Sequence, residues 1–458
     1  MTAAGADTES QDDVPSRSSS LSRPPSRTGK DLPSWRKYLI LFVVSWMTLC
    51  VTFSSTSLLV ATPEIAADLY TTSEILNVTN SGVLIAMGLS SLIWSPLSDI
   101  IGRRLAYNIA IFFLFVPSIG TAVAPNMAVF TAMRMVSGFT GTYFMVAGQT
   151  VIADIFEPIV RGRATGFFMV GSVAGPAIGP CIGGIIVTFS NWRAIYWLQT
   201  AMSGLGFVLS VLVIPTIRKE TDAIEDEKKE PWNACRVLER FNPWRVFKLL
   251  LRPNILLADL TCGLLAVTQY GILTSVRHVI NPRFNLSTPL VSGLVYIAPG
   301  VGFFVGSVVG GRFSDRTVKR YIAKREGVRL PKDRLNSGLS GLFIVLPISM
   351  LLYGWSLQKE FGGLALPIVA GFWVGVGLMG TFNALNTYTA EVSPAEKAEV
   401  ICTKYIVQYI FGAACTAAVV PLIDAIGVGW AFTLFVALDI LGGVLVLFVA
   451  RLGPKTWV

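Results

Sequence analysis

Charged residues and histidine are scarce in this sequence of 458 residues, of which 14% are charged and one, His278, is histidine. A single histidine excludes the paired Cys and His spacings of zinc sites, so no metal site is predicted. Among the six cysteines, Cys235 lies in a polar stretch and the others lie in apolar runs. No disulfide framework is therefore expected.

Catalytic motifs are also lacking. The sequence contains no nucleophile elbow, no phosphate-binding loop and no metal-binding helix motif. Most acidic residues fall at the ends of apolar runs, and no pair of carboxylates is spaced for general acid and base catalysis. An enzyme is not expected, and neither catalytic residues nor cofactors are assigned.

The amino-terminal region lacks the apolar segment of a secretory signal. Residues 1–36 are rich in serine, proline and charge, which predicts a disordered cytosolic tail. The net charge of +9 does not indicate a nucleic-acid partner, because the basic residues lie between apolar runs. Basic loops in such positions orient a membrane protein in its bilayer.

Long apolar runs make up most of the remaining chain. The sequence is 53% hydrophobic and its mean hydropathy is +0.61, values that predict an integral membrane protein. A run of about 20 apolar residues crosses the hydrocarbon core of a bilayer. Twelve such runs are predicted, near residues 38–61, 77–98, 105–124, 128–152, 164–188, 194–215, 254–276, 288–310, 338–357, 363–388, 399–422 and 429–451.

Lysine and arginine are distributed unevenly between the loops. The tail, the loop after the sixth run and the loop after the eighth run carry most of them, whereas the alternate loops carry Arg193, Arg277, Arg283 and Lys359. The positive-inside rule then predicts that both chain ends are cytosolic. Asn285, in the sequence Asn-Leu-Ser, would lie in an outer loop as an available glycosylation site.

The fifth apolar run carries a ridge of glycines and two prolines. Glycines at 171, 175, 179 and 183 recur every fourth residue, so on a helix they share a face that another backbone can approach closely. Each proline removes a backbone donor, which a membrane helix tolerates when its neighbours satisfy the freed carbonyl. Such ridges also serve simple helix packing, so the pattern alone leaves both interpretations open. The residues of this motif are Gly175, Pro176, Gly179, Pro180, Gly183 and Gly184.

Two loops that combine acidic and basic residues occupy matching places, one after the second run and one after the eighth. A short acid at a helix end can accept hydrogen bonds from the next helix's backbone and pair with arginines. The match predicts an internal repeat and a latch that holds one half of the protein against the other. The predicted latch residues are Asp99, Gly102, Arg103, Arg104, Gly311, Asp315 and Arg316.

These motifs resemble those of the major facilitator superfamily, in particular its twelve-helix drug:proton antiporters and fungal efflux carriers. The glycine-proline stretch of the fifth run is similar to their antiporter motif. The first acidic-basic loop resembles the family's cytoplasmic signature, with Ser95 in place of a glycine and Ile100 in place of a basic residue. Arg134 begins a stretch that resembles the family's Arg-x-x-Gln-Gly motif, with Ser137 at the glutamine position.

The resemblance implies an all-α membrane protein with twelve transmembrane helices in two pseudo-symmetric six-helix bundles. The expected organisation is a cytosolic tail (1–36), an N-terminal bundle (37–216), a cytosolic linker (217–252), a C-terminal bundle (253–452) and a short cytosolic C-terminus (453–458).

Charged residues inside the apolar runs are candidates for coupling because an unpaired charge is costly in hydrocarbon. Arg134 is expected to face the bundle interior beside an acid or backbone carbonyls and to act in proton coupling or substrate positioning, with snorkelling to the interface as the alternative. Asp439, near the middle of the last run, is a second coupling candidate. Asp259, Glu391 and Glu64 lie near run ends and are expected to be solvated.

In the family, helices 1, 4, 7 and 10 surround the substrate cavity, so the resemblance implies a role for their polar residues. Serine and threonine on such helices often bond to their own backbone instead. Gln408 stands where many fungal relatives carry an arginine, and Lys404 could supply that charge. The cavity candidates are Thr52, Ser55, Tyr143, Gln149, Gln269, Tyr270, Asn383, Asn386, Tyr388, Lys404 and Gln408.

The resemblance implies a proton-coupled secondary transporter that exports a secondary metabolite, toxin or drug by alternating access. The alternatives are an organic-acid exporter that works without proton exchange and a transporter-like nutrient sensor. The expected partners are a small-molecule substrate, protons and the lipid bilayer, without nucleic acid, and the protein is expected to be a monomer. The plasma membrane is the expected location, with a vacuolar or other internal membrane as the alternative.

Overall fold

A computed structural model of the protein describes residues 32–156, 158–214, 244–286, 288–328, 330–393 and 396–452. Within these residues the regular structure is helical and contains no strand. Most of the predicted tail (1–36) and linker (217–252), and the whole of the predicted C-terminus (453–458), lie outside them. Those three assignments therefore stay predictions.

The N-terminal half contains six successive helical spans, and side chains cap two of the helix starts that the structure describes. The Thr72 side chain accepts a hydrogen bond from the Ile75 amide at the start of α2, and Asn126 caps α4 in the same way through the Val129 amide. The spans are α1 (Ser34–Thr56 and Leu58–Asp68), α2 (Ser73–Ile101), α3 (Arg103–Ala122), α4 (Met127–Gly138 and Gly141–Ile155), α5 (Pro158–Phe189) and α6 (Arg193–Val213).

The C-terminal half contains six further spans after a short helix, Trp244–Leu250. Several include turns of π- or 3₁₀-helix, which often occur in such short pieces at irregular points of longer helices. The spans are α7 (Pro253–Ser275, Val276–Ile280 and Asn281–Arg283), α8 (Pro289–Val295 and Ile297–Lys324), α9 (Pro331–Arg334, Leu335–Ser340, Gly341–Val345 and Leu346–Lys359), α10 (Ala365–Val392), α11 (Lys397–Ile426) and α12 (Val428–Leu447 and Phe448–Leu452).

Eleven of these spans contain a helical stretch that is long and apolar enough to cross a membrane by length and composition. The remaining one is α4, which is divided between Gly138 and Gly141 into two helices of 12 and 15 residues. Neither piece alone reaches the length of about 20 residues that a spanning helix needs. The two pieces together cover the predicted run at 128–152, so this run corresponds to a broken span.

The same pairing of helices recurs in the two halves. In the first half α1 packs against α5, α2 against α4 and α3 against α6. In the second half α7 packs against α11, α8 against α10 and α9 against α12, so each pair is reproduced by adding six to both helix numbers. The contacts between halves are related by the same repeat. Helix α2 packs against α11, and its counterpart α8 packs against α5, which is the counterpart of α11. The predicted arrangement of two pseudo-symmetric six-helix bundles is confirmed.

The two ends of the bundle differ in charge. The end at which α3 begins with Arg103 and Arg104, and at which α8 leads into α9, is called here the basic end. Between α2 and α3 the chain turns at Gly102, whose φ of 92° is in the left-handed region that favours glycine. This conformation gives a physical reason for the glycine of the first acidic-basic loop.

Candidate functional site

Helix α5 uses its glycine ridge to contact α1 of the same half. The hydroxyl of Thr52 donates to the carbonyl of Gly171 at 3.3 Å, and that of Thr56 donates to the carbonyl of Gly175 at 3.1 Å. A Cβ added at Gly175 would overlap the side chain of Thr52. The helix is continuous through both of its prolines. The glycines therefore allow a close helix contact in which threonine donors satisfy backbone carbonyls.

Gly184, the residue after the ridge, contacts the other half of the protein. A Cβ at Gly184 would lie 2.6 Å from the carbonyl oxygen of Pro289 and 3.1 Å from the Cα of Gly293, both on α8. Gly293 in turn lies close to Pro180 and Cys181 of α5. This second contact places α5 at the interface between the halves, where backbones approach without intervening side chains.

Arg134 lies in the interior of the N-terminal half with 1% of its surface exposed. One guanidinium nitrogen donates to the carbonyl of Ser54 at 2.8 Å, and the other donates to Oδ1 of Asn80 at 2.9 Å. The guanidinium also lies 5.8 Å from the centre of the Tyr196 ring, within the range of a cation–π contact. The partners described are thus a carbonyl, an amide, a ring and the hydroxyl of Ser54, which accepts at 3.2 Å, and this agrees with the expected burial beside backbone carbonyls.

A polar network extends from this arginine into α6. Gln199 donates to Oγ of Ser54 at 2.8 Å and to Oγ of Ser118 at 3.0 Å, and all three side chains are buried. Nε of Arg134 has no hydrogen-bond partner within the described part of the chain. Asn80 and Gln199 were not predicted from the sequence, because a single amide residue in an apolar run belongs to no recognisable motif.

The predicted cavity residue Gln149 lies where the halves touch. Nε2 of Gln149 on α4 donates to the hydroxyl of Tyr405 on α11 at 3.4 Å. Tyr270 on α7 is buried against Gly412 of α11. Tyr409 of α11 reaches Sδ of Met145 on α4 at 3.9 Å. Tyrosines from the C-terminal half therefore face the N-terminal half along α11, although Tyr405 and Tyr409 were not predicted.

Several other predicted cavity residues form contacts within their own half. Thr52 and Ser55 donate to backbone carbonyls of α1, at 3.0 and 2.9 Å, as serine and threonine on spanning helices often do. Tyr143 is stacked on Trp94 within the N-terminal half, with ring centres 5.5 Å apart. Asn383 donates to the carbonyl of Ser307 on α8 at 2.8 Å. Gln269 and Gln408 are half-buried.

The described ion pairs of the predicted latch join helices of the same half. In the N-terminal half Arg103 pairs with Asp154 at the end of α4, and Arg104 donates to the carbonyl of Val211 on α6 at 2.7 Å. The side chain of Asp99 lies outside the described residues. The latch between halves stays a prediction. The contacts that the structure describes join α3 to α4 and α6 of the same half.

The equivalent ion pairs in the C-terminal half centre on Arg334, which was not among the predicted latch residues. Arg334, at the start of α9, donates to Asp315 of α8 at 3.1 Å and to Glu391 of α10 at 3.0 Å. Glu391 therefore forms an ion pair and is not simply solvated. Arg334 corresponds in place to Arg103, and Glu391 to Asp154, so the charge clusters repeat with the helices.

Besides Asp333, which pairs with Arg325 at the start of α9, two carboxylates are fully buried in the described part of the C-terminal half. Asp439 of α12 accepts a hydrogen bond from Thr268 of α7 at 2.8 Å. Asp259 of α7 was expected to be solvated, and this expectation is wrong because its exposed fraction is 0%. The neighbouring Lys404 of α11 is 2% exposed and donates to Oδ1 of Asn386 at 2.7 Å. In the sequence Asp259 lies near the end of its apolar run. In the fold, helices α10 and α11 pack against α7 and cover it.

A cleft of about 310 Å³ opens between the halves at the end opposite the basic loops. Beside it Glu64 of α1 pairs with Arg277 of α7 at 2.7 Å, which joins the two halves, and His278 lies 2.8 Å from Asp424. Glu64 is therefore an inter-half contact. Asn285 lies at this same end in the loop before α8, and the serine of its sequon lies outside the described residues.

An ionic cluster ties the connecting loops together at the same end. Asp68 accepts hydrogen bonds from Arg193 and from Nε1 of Trp192, the latter at 3.0 Å. The hydrogen bond from Arg193 holds the pKa of Asp68 below its ordinary value of 3.8. This contribution to stability is present at neutral pH and is lost as the pH falls through the lowered pKa of the folded protein.

Comparison with known proteins agrees with this architecture. Residues 44–413 match the sequence profile of the Major Facilitator Superfamily. The MFS antiporter QDR3 of Candida albicans is 23% identical over 94% of this chain and 80% of its own length, and the MFS transporter cpaT of Aspergillus oryzae is 29% identical over 89% and 85%. The crystal structure of a D-xylose-proton symporter superposes with a TM-score of 0.68 at 13% identity, covering 92% of this chain and 98% of the symporter.

The structural likeness, at so low an identity, concerns the fold alone. The family match covers most of the helical spans, including both acidic-basic loops and the glycine ridge of α5. The family and its named members are transporters, which agrees with the expectation that the protein is not an enzyme. This chain is a membrane transporter that belongs to the Major Facilitator Superfamily.

Proposed function

We propose that this transporter exports a small organic molecule, such as a secondary metabolite, toxin or drug, in exchange for protons. The observation that carries the proposal is the presence of fully buried ionisable side chains inside both bundles, namely Arg134 in the first and Asp259, Lys404 and Asp439 in the second. Ionisable residues at such depth are costly in a membrane protein and usually mark an ion or substrate pathway. The name of QDR3, an antiporter, supports exchange.

The helix arrangement supports alternating access as the mechanism. The halves meet through two equivalent contacts, α2 with α11 and α5 with α8, and a cleft separates them at the end opposite the basic loops. Rotation of one half against the other about these contacts would close that cleft and open the basic end. The inter-half pair between Glu64 and Arg277 would break as part of that movement.

We place both chain ends in the cytosol and the protein in the plasma membrane. The basic end carries the arginines of α3 and of the loop between α8 and α9, and the positive-inside rule assigns such loops to the cytosol. An inward proton gradient across that membrane would then drive substrate outward. We expect the monomer to be the functional unit, since each chain contains both halves of the path.

The proposal is tested by flux in proteoliposomes that contain the purified protein. Labelled tracers should represent organic cations, neutral metabolites and organic anions, with the pH gradient imposed in either direction. We expect at least one tracer to accumulate against its own gradient on the side from which protons leave, and a protonophore to abolish this accumulation. Transport that proceeds at the same rate with and without a pH gradient would contradict proton exchange. If that transport were limited to carboxylates, the alternative organic-acid exporter would be favoured.

A further inference from the structure

A polar cluster, buried except for the half-buried Asn386, lies where α7, α10 and α11 meet in the C-terminal half. It consists of Asp259 on α7, Asn386 and Tyr388 on α10, and Thr403 and Lys404 on α11, and is called here the α7–α11 cluster. Asp259 lies six residues after Pro253, at which α7 begins. At 1.5 Å per residue this places the carboxylate about 9 Å from the basic end of its helix.

The carboxylate of Asp259 lacks the hydrogen bonds that a permanently charged group would need. Its exposed fraction is 0%, and neither oxygen accepts a hydrogen bond from a residue that the structure describes. The nearby hydroxyl of Thr403 already donates to the carbonyl of Val400 at 2.8 Å. A buried carboxylate without donors is much less costly when it carries a proton.

The positive charge of the cluster is better satisfied than the negative one. Nζ of Lys404 donates to Asn386 at 2.7 Å and lies 3.6 Å from the centre of the Tyr405 ring. These contacts allow the ammonium to stay charged whether or not Asp259 carries a proton. Lys404 can therefore balance the charge of ionised Asp259, and the amide and the ring can hold the ammonium after Asp259 is protonated.

The surroundings contain few other groups that could take the proton. Among the described residues, the titratable side chains that interact electrostatically with Asp259 are Lys404 from α11, Tyr388 from α10 and Cys262 from α7 itself. On α12 the buried acid is Asp439, which bonds to Thr268, nine residues further along α7. Nine residues of helix correspond to about 13 Å, so the two carboxylates belong to separate sites.

The cluster has a direct structural connection to the other half of the protein. Lys404 lies over the ring of Tyr405, and the hydroxyl of Tyr405 accepts the hydrogen bond from Gln149 of α4. One turn earlier on α11, Sγ of Cys402 lies 4.0 Å from the carbonyl of Ser91 on α2. A change in the charge beside Lys404 therefore acts on the segment of α11 that contacts the N-terminal half.

We propose that Asp259 takes up and releases the transported proton, and that Lys404 is a positioning residue that compensates its charge. This inference rests on the proposed function and identifies the coupling site within it. Protonation converts the carboxylate of Asp259 to the neutral acid, while Lys404 remains an ammonium held by Asn386 and Tyr405. Release returns the proton toward the basic end, about 9 Å away.

Proton binding can be measured without a substrate by infrared difference spectroscopy of the purified protein in liposomes. Between about pH 5 and pH 8, the physiological range, we expect a carboxylic-acid C=O band that changes with pH and is absent in Asp259→Asn. The band should persist in Asp439→Asn and, at a changed frequency, in Asp259→Glu. A band that survives in Asp259→Asn, or that disappears in Asp439→Asn instead, would overturn the assignment.

The role of Lys404 has a separate readout. In Lys404→Met we expect the pH midpoint of the Asp259 band to rise by about one unit or more, because the neighbouring positive charge no longer favours the ionised acid. An unchanged midpoint would contradict the positioning role. The exposed acid Glu360, which pairs with Arg283 in a loop, supplies the matched control. Glu360→Gln should leave the band and its midpoint unchanged.

The flux assay separates failure of this inference from failure of the proposed function. If the wild-type protein transports tracer without any response to a pH gradient, the proposed proton exchange is wrong. If the wild-type protein responds to the gradient and Asp259→Asn responds equally, Asp259 does not carry the transported proton. We expect a wild-type response that is lost in Asp259→Asn, with tracer exchange at equal pH retained.

Discussion

Replacement of Arg134 by alanine is expected to reduce transport to below about one hundredth of the wild-type rate, with the protein still reaching the membrane. The guanidinium joins Ser54 of α1 and Asn80 of α2 to α4 through hydrogen bonds of 2.8 and 2.9 Å. Its removal leaves the amide of Asn80 and the carbonyl of Ser54 without this donor in a buried site, and the geometry of three helices is lost.

Tracer flux and the amount of protein in the membrane should be measured on the same preparations. Arg134→Lys is expected to retain part of the activity, because one ammonium can reach one of the two partners but lacks the fork of the guanidinium. Arg283→Ala is the matched control, since that arginine pairs with the exposed Glu360. Wild-type flux in Arg134→Ala would remove this residue from the mechanism.

Replacement of Gly175 by leucine is expected to destabilise the protein by about 1–3 kcal/mol and to abolish transport. Even a Cβ at this position would overlap Thr52 of α1, and the longer side chain must separate α5 from α1. That separation also breaks the hydrogen bond from Thr56 to the carbonyl of Gly175. Thermal unfolding in detergent and flux in proteoliposomes measure the two effects.

Gly166 provides a control on the same helix. It is exposed, and a Cβ added there would meet no atom within 4 Å. Gly166→Leu changes helix propensity and volume in the same direction as Gly175→Leu but disturbs no contact. Equal unfolding temperatures for the two variants would show that the glycine ridge is not a close-packing site.

The sequence predicted the helical spans well because their length and apolarity are set by the bilayer. It could not predict the break in α4 between Gly138 and Gly141, since the run remains apolar across it. The similarity of the two acidic-basic loops predicted that Asp315 belongs to the repeat. It did not predict the role of Arg334, because this arginine lies in a basic stretch and no motif distinguishes it from its neighbours. Only the packing of α8, α9 and α10 shows that Arg334 joins two acids.

The candidate site was predicted in part. Arg134 could be found because a charge within an apolar run must be buried and paired. Asp259 was misjudged because its distance from the end of α7 is short along the chain, whereas its burial depends on α10 and α11. The bonds of Thr52 and Ser55 to the α1 backbone become visible only with the helix in place, and their role in the cavity stays a prediction.

The most direct test of alternating access is a pair of distances between the halves, measured by electron spin resonance on doubly labelled protein. In a background without the native cysteines, labels at the exposed positions Tyr70 and Phe361 report on the cleft end, and labels at Leu105 and Val328 report on the basic end. Between about pH 5 and pH 8, we expect one distance to lengthen while the other shortens. Distances that stay fixed, or that change in the same direction, would contradict the account.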